Sequence, residues 1–289
     1  MIQKSINYWS FPGGLEGSLD PFEAITYASE YGFEAIELCV GEPGSALGTD
    51  VDEDFCLALR NDAQDRGLSI PSVASGLYWS RNLADQDSGK RAAAREDLER
   101  MIQIASWLGA RTLLVIPGSV DVFFLPERPA QAYDFVHLHA TEGILSVLPT
   151  AERCKIRLGI ENVWNKFLMS PMEMASFIDQ FASPWVGAYV DVANLMAFGY
   201  PDQWLRVLGK RVVGVHFKDY RKSVGTADGF VDLLEGDVNW PEVVQALDEI
   251  GYSGPVVGEM IPGYRHHPMV RIANTSRAMD AILGRTEAE

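Results

Sequence analysis

The sequence predicts a closed (β/α)8, or TIM, barrel, an α/β fold built as a single domain over residues 1–289. Three observations predict it. Short β-branched runs alternate with longer helical patterns, as a parallel α/β sheet requires. Eight such pairs can be read in 289 residues, which leaves no room for a second domain. The first strand is followed by Phe11-Pro12-Gly13-Gly14, which does not match the GxGxxG loop that opens many doubly wound sheets.

The elements follow in order. A strand at Ser5–Trp9 precedes a helix at Pro21–Tyr31, and Ala35–Val40 precedes Asp52–Arg66. Ile70–Ser75 leads to Arg91–Leu108, and Thr112–Ile116 to Gln131–Leu148. Arg157–Val163 leads to Pro171–Phe181, and Val186–Val190 to Pro201–Leu208. Val212–Phe217 leads to Trp240–Ile250, and Pro255–Met260 to Met269–Leu283. Several helices open at proline or just after aspartate, both suited to a helix N-terminus. Several end at glycine (Gly32, Gly67, Gly109, Gly209, Gly251), which supplies the left-handed turn before the next strand. The longest non-helical stretches are read at Gly41–Thr49 and Gly76–Lys90. In a barrel, such βα loops cover the active face.

Composition bounds the function. Hydrophobic residues make up 47% of the chain, enough for a sizeable core, and 22% charged residues argue against disorder. The formal net charge is −16. It argues against nucleic-acid partners and anionic membranes, leaving a small molecule as the expected partner. Cys39, Cys56 and Cys154 are odd in number and match no metal knuckle, so reduced thiols are expected. The N-terminal segment lacks the apolar core of a leader peptide, and no run is long enough to span a bilayer. A cytoplasmic protein is the expectation, and pairing into a homo-oligomer stays open.

The chemistry gathers on the last four strands. They read Arg157-Leu-Gly-Ile-Glu161-Asn162, Tyr189-Val190-Asp191, Val215-His216-Phe217-Lys218-Asp219 and Val257-Gly258-Glu259-Met260. Each C-terminal end carries one strong metal-ligand type: Glu161, Asp191, His216 and Glu259. Side chains alternate along a strand, so Gly159 shares a face with Glu161, and Gly214 with His216. Ile160, Val190, Val213 and Val215 then face the helices, which aims the polar groups inward. Singly, each has a plainer role: Asp191 as a helix N-cap, His216 as a hydrogen-bonded strand residue, the glutamates as solvated loop residues. Four on consecutive strands point instead to one divalent metal. Three carboxylates and one imidazole suit Mn²⁺, Mg²⁺ or Co²⁺, with Zn²⁺ possible.

Other residues above this site are candidate substrate contacts. Asn162, Trp164 and Asn165 follow Glu161, with amides suited to hydroxyls and an indole suited to a sugar face. A capped helix start is their alternative role. Lys218 either meets an anion or pairs with Asp219. Glu37 points into the barrel mouth, to hydrogen-bond substrate or a ligand histidine. Trp9, Tyr78 and Trp79 wall the pocket or pack its rim. His266–His267 reads as loop packing, since adjacent side chains point apart.

At GIENVWN around Glu161, VDVANLMAFGYP around Asp191, VVGVHFKDY around His216 and VVGEM around Glu259, the chain resembles the xylose-isomerase-like superfamily. It is most similar to the sugar (phosphate) isomerase and epimerase branch that includes ketose 3-epimerases. Glu235-Gly-Asp-Val-Asn-Trp240-Pro and Phe33-Glu-Ala-Ile-Glu37-Leu also resemble family segments. The resemblance implies a metal that binds adjacent carbonyl and hydroxyl oxygens of a ketose or ketose phosphate. It implies proton transfer through a metal-bound cis-enediolate, with Glu161 and Glu259 as proton carriers as well as ligands. Asp191 and His216 would be ligands only.

Two positions depart from the family pattern. Asn194 stands where ketose 3-epimerases usually have a substrate-contacting histidine, and Arg221 or Lys222 only loosely matches an expected arginine. Asn194 can still donate and accept hydrogen bonds. The departure keeps open a lyase or hydratase that removes the same proton from a 3-keto-sugar or 3-keto-glycoside and then loses a β-substituent. The superfamily's abasic-DNA nucleases need further histidines on the earlier strands, which are absent here. A non-catalytic binding protein is disfavoured because both glutamates are kept.

Overall fold

The computed structural model describes residues 2–285. Its strands close on themselves. We number the barrel strands β1 (Gln3–Asn7), β2 (Ala35–Val40), β3 (Ser72–Ser75), β4 (Thr112–Val115), β5 (Arg157–Glu161), β6 (Val186–Asp191), β7 (Val212–Phe217) and β8 (Pro255–Gly258). Each pairs in parallel with its sequence neighbours, and β1 joins β8. The helices outside are α1 (Pro21–Glu30), α2 (Glu53–Asp65), α3 (Ser88–Trp107), α4 (Tyr133–Cys154), α5 (Pro171–Asp179), α6 (Pro201–Leu208), α7 (Trp240–Glu249) and α8 (Pro268–Ile282).

Local chemistry explains the boundaries. Asp20, Asp52, Asp87, Ser170 and Asn239 each accept a backbone N–H at a helix start, which satisfies donors the helix leaves orphaned. Outward strand residues such as Ile160, Val190 and Val215 are fully buried under the helices. Each such side chain contributes about 1.5–3 kcal/mol of burial. Among the described residues, no helix is long and apolar enough to cross a membrane.

Several expected bounds shift. β1 ends at Asn7 rather than Trp9, because the Asn7 side chain accepts from Trp9 N and starts a 3-10 turn at Tyr8–Ser10. β3 starts at Ser72, after Pro71, which has no N–H for the ladder. β8 stops at Gly258, so Glu259 is the first residue beyond it. Helix α4 continues past Leu148 and through Pro149 to Cys154. Thr150 and Ala151 are buried there, so core packing outweighs the proline's cost, and Lys155 at φ 58° ends the helix instead. The longest connections are not the two expected ones. They are residues 116–132 after β4 and 218–239 after β7, the latter holding a two-stranded ribbon, Asp219–Tyr220 with Phe230–Val231. The sequence reading missed that ribbon because each strand is only two residues long. The cysteines are free; Cys39 and Cys56 are buried and Cys154 is half-buried.

Candidate metal centre and active site

Register sets the site. Asp191 lies level with His216, and Glu161 level with Tyr189, across adjacent strands. Glu161, Asp191 and His216 each present one donor atom, all within 4.8 Å of one another and buried. Glu259 stands outside that group of three, although its Oε2 is 3.7 Å from His216 Nδ1. Its carboxylate engages Lys218 Nζ instead.

The three donors are prepared differently. Asp191 Oδ1 accepts Ala193 N at 3.0 Å and Asn194 N at 2.9 Å. This is the capping role expected for an aspartate at a strand end, but it uses one oxygen only. Oδ2 is buried without a hydrogen-bond partner. Lys218 Nζ forms an ion pair with it at 2.8 Å. His216 Nε2 faces Glu37 Oε1 at 2.7 Å. Its Nδ1 is buried and also lacks a partner, with Glu161 Oε1 at 3.4 Å. Unpaired buried polar atoms cost about 1–3 kcal/mol each. His216 Nδ1, unpaired and converging with the Asp191 and Glu161 carboxylates, fits a cation. A carboxylate behind a ligand histidine is the usual support for a metal site, because it fixes the tautomer.

Electrostatics point the same way. Burial alone would push the His216 imidazole down, but Glu259, Glu37 and Glu161 outweigh it and hold the ring well above the usual histidine range. A divalent cation supplies that compensation with the ring neutral. Glu161 is pushed up to about 7, first by burial, against the His216 interaction and with the Glu259 and Asp191 charges adding. Burial also acts on Glu259, but Lys218 and then His216 hold it below the usual carboxylate range. Two carboxylates are thus driven apart, the condition for one acid and one base.

The remaining candidates separate into groups. Glu37 is fully buried; it also accepts Asn7 Nδ2 at 2.7 Å and the Tyr189 hydroxyl at 2.5 Å. It therefore supports the histidine and is closed to substrate. Lys218 joins Asp191 and Glu259, not Asp219. Asp219 instead accepts Tyr220 N, Leu234 N, Val238 N and Trp240 Nε1, which ties down the 218–239 loop. Asn162 clamps Asp191 from both sides, donating to its carbonyl and accepting its N–H. Asn165 donates to Gly118 O and accepts Phe167 N, so its amide joins two loops. Arg221 lies outside the site, half-exposed and bonded to Glu235. Helix α5 begins only at Pro171, so Trp164 does not open a helix. Its indole donates to Asn194 O at 2.8 Å.

Above the metal centre is a cavity of about 590 Å³, walled in part by Trp9, Trp79, Trp164 and Asn194, with Glu161, Lys218 and Glu259 at its floor. Tyr78 is buried, with its hydroxyl donated to Leu114 O. A larger recess of about 1190 Å³ opens at the opposite end of the barrel. It holds none of the converging carboxylates, so size does not mark the site. His266 and His267 are exposed on the loop before α8, where His267 occupies the N-cap position.

The sequence reading missed Tyr189. It stands two residues before Asp191 and so shares its inward face. Its ring packs 4.7 Å from the His216 ring. A Cβ on Gly159 or Gly214 would meet that ring at 3.1 or 2.4 Å. Glycines on both flanking strands were the available signal for a large inward residue between them.

The family model for the xylose isomerase-like TIM barrel matches residues 25–281. The chain belongs to that family. The L-ribulose-5-phosphate 3-epimerase UlaE of Salmonella heidelberg (strain SL476) is 25% identical over 293 residues, covering 100% of both chains. The putative L-ribulose-5-phosphate 3-epimerase SgbU of Escherichia coli (strain K12) is 26% identical over 269 residues, covering 90% of this chain and 91% of the relative. The solved D-psicose 3-epimerase from Clostridium cellulolyticum H10, with D-tagatose, superposes with a TM-score of 0.80 at 16% identity, covering 99% of this chain and 100% of that one. The last likeness is one of fold.

Proposed function

We propose that this chain is a divalent-metal-dependent sugar epimerase or isomerase that moves a proton at the carbon beside a ketone. The observation that carries it is the convergence of donor atoms from Glu161, Asp191 and His216 within 4.8 Å, with His216 Nδ1 buried and unpartnered and Glu259 beside it. The family and the ketose 3-epimerases among its relatives support the same chemistry.

Glu161, Asp191, His216 and Glu259 would hold the cation. Their oxygen-rich set favours Mn²⁺, Mg²⁺ or Co²⁺ over a thiolate-selected metal, with Zn²⁺ next. When bound, the cation supplies Lewis-acid stabilisation of the negative charge that develops on oxygen as the proton leaves. Glu259, kept ionised by Lys218, is suited to take the proton. Glu161, with its raised pKa, is suited to return one. The two come from β5 and the end of β8, on either side of Asp191 and His216. Lys218 stands nearest as a fixed positive charge. Asn194 lines the cavity wall, with its Nδ2 donated to Asn162 O at 3.0 Å.

The substrate is a small sugar, and the charge of −16 supports that over a nucleic acid. The test is product analysis by NMR and mass spectrometry on a panel of ketoses and keto-sugars. Epimerisation or isomerisation conserves mass and changes one centre or shifts the carbonyl. An unsaturated product would replace this reading with that of a lyase.

A further inference from the structure

We propose that the cavity takes an unphosphorylated sugar whose far end carries a planar, apolar group, such as an aryl glycoside. This rests on the reading above for the sugar end of the ligand only.

The first observation is a continuous aromatic belt over the catalytic floor. Trp79 meets Phe124 at 5.0 Å between ring centroids, and Phe124 meets Phe123 at 5.2 Å. Phe123 meets Trp164 at 5.9 Å, and Trp164 meets Phe230 at 5.3 Å. The belt draws on the loops after β3, β4, β5 and β7. Leu15, Ile261 and Pro262 line the remaining arc. Free hexoses and pentoses need hydroxyl partners. This wall offers mainly ring faces and edges, which suit a second planar group.

The second observation is that Phe123 and Phe124 are 55% and 46% exposed although they adjoin an active-site cavity. Adjacent exposed aromatic rings at a pocket mark a surface that a ligand covers. A volume of about 590 Å³ is roomier than a lone ketose fills, and lies within the ~300–1,000 Å³ of pockets for larger ligands.

The third observation is charge. Lys218 is the one basic side chain lining this cavity among the described residues, and Asp191 and Glu259 already neutralise it. Glu161 and Asp228 add acidic groups to the same lining. A phosphate dianion usually meets arginine, free lysine or a cluster of N–H donors. Arg271 is committed to Asp232, and Arg128, which donates Nη2 to Trp79 O and keeps Nη1 without a partner, does not line this cavity.

The test is binding of two matched pairs to the Mn²⁺-loaded full chain by calorimetry. Phenyl and methyl β-glucosides lack a carbonyl and cannot enolise, so their comparison stands apart from turnover. Ribulose 5-phosphate is compared with ribulose. The proposal predicts phenyl glucoside at least tenfold tighter than methyl glucoside, with that advantage lost in a Phe123→Ala/Phe124→Ala variant. It predicts no gain from the phosphate. Equal affinity for the two glucosides, no binding of either, or a tenfold gain from phosphate would overturn it. Loss of proton-transfer activity would leave this comparison intact and count only against the reaction.

Discussion

Glu37 Oε1 and His216 Nε2 lie 2.7 Å apart inside the barrel, which commits one imidazole nitrogen and leaves Nδ1 for the metal centre. A supporting carboxylate of this kind typically carries 10–100-fold in metal affinity. Glu37→Gln keeps the volume and removes the charge. Calorimetric titration with Mn²⁺ should show affinity lowered by about 10–100-fold, with all four proposed ligands still present. Unchanged affinity would show that the pair serves packing alone.

Metal affinity should rise with pH. Glu161, pushed up by burial to about 7, is largely protonated at pH 6 and ionised at pH 8. His216 is held above its usual range by the surrounding carboxylates. Each proton competes with the cation and leaves when it binds. One such proton makes the affinity climb by about tenfold between pH 6 and 8, and a second adds to this. The same titration in buffers of different ionisation enthalpy counts the protons released. A flat pH profile would contradict the assignment of Glu161.

Lys218 shares Asp191 and Glu259 with the proposed cation. Removing its charge lowers repulsion at the metal and raises the pKa of Glu259. Lys218→Met should therefore bind Mn²⁺ more tightly, by about tenfold or more, while turnover falls by about tenfold or more for want of a fixed charge near the developing oxyanion. Equilibrium dialysis and kcat measurements separate the two effects. Weaker metal binding in the variant would make Lys218 a scaffold residue.

Asp219 organises the loop over the site without touching the metal donors. Asp219→Ala strands three backbone N–H groups and the Trp240 indole. The expected cost is about 2–4 kcal/mol, from the about 1–3 kcal/mol typical of a stranded buried group. Chemical denaturation should report that loss, with Mn²⁺ affinity little changed. A variant of wild-type stability would contradict this account of the loop.

What the sequence disclosed depended on pattern length. Eight strand–helix pairs and four ligand-type residues at strand ends are repeated signals; the barrel brings Glu161, Asp191 and His216 together, while Glu259 stands outside that group and engages Lys218. Glu37 was legible as an inward residue, but its commitment to His216 was one of two readings, because distance across the barrel is invisible along the chain. Lys218 could be paired with its neighbour Asp219 on paper. In the fold they diverge, Lys218 into the site and Asp219 into the loop. Arg221 followed His216 closely enough to suggest substrate contact, yet the ribbon carries it out to Glu235. Phe123 and Phe124 gave no signal at all, since a loop aromatic joins a pocket only through the path of the loop.

The central claim is proton transfer beside a ketone by Glu161 and Glu259. Mn²⁺-loaded protein in D₂O, offered ketoses and keto-sugars and followed by NMR, tests it most directly. The account predicts deuterium at one carbon beside the carbonyl of a single substrate class. It also predicts exchange reduced by about 10²-fold or more in both Glu161→Gln and Glu259→Gln. No uptake from any ketone, or full uptake in both variants, would contradict it.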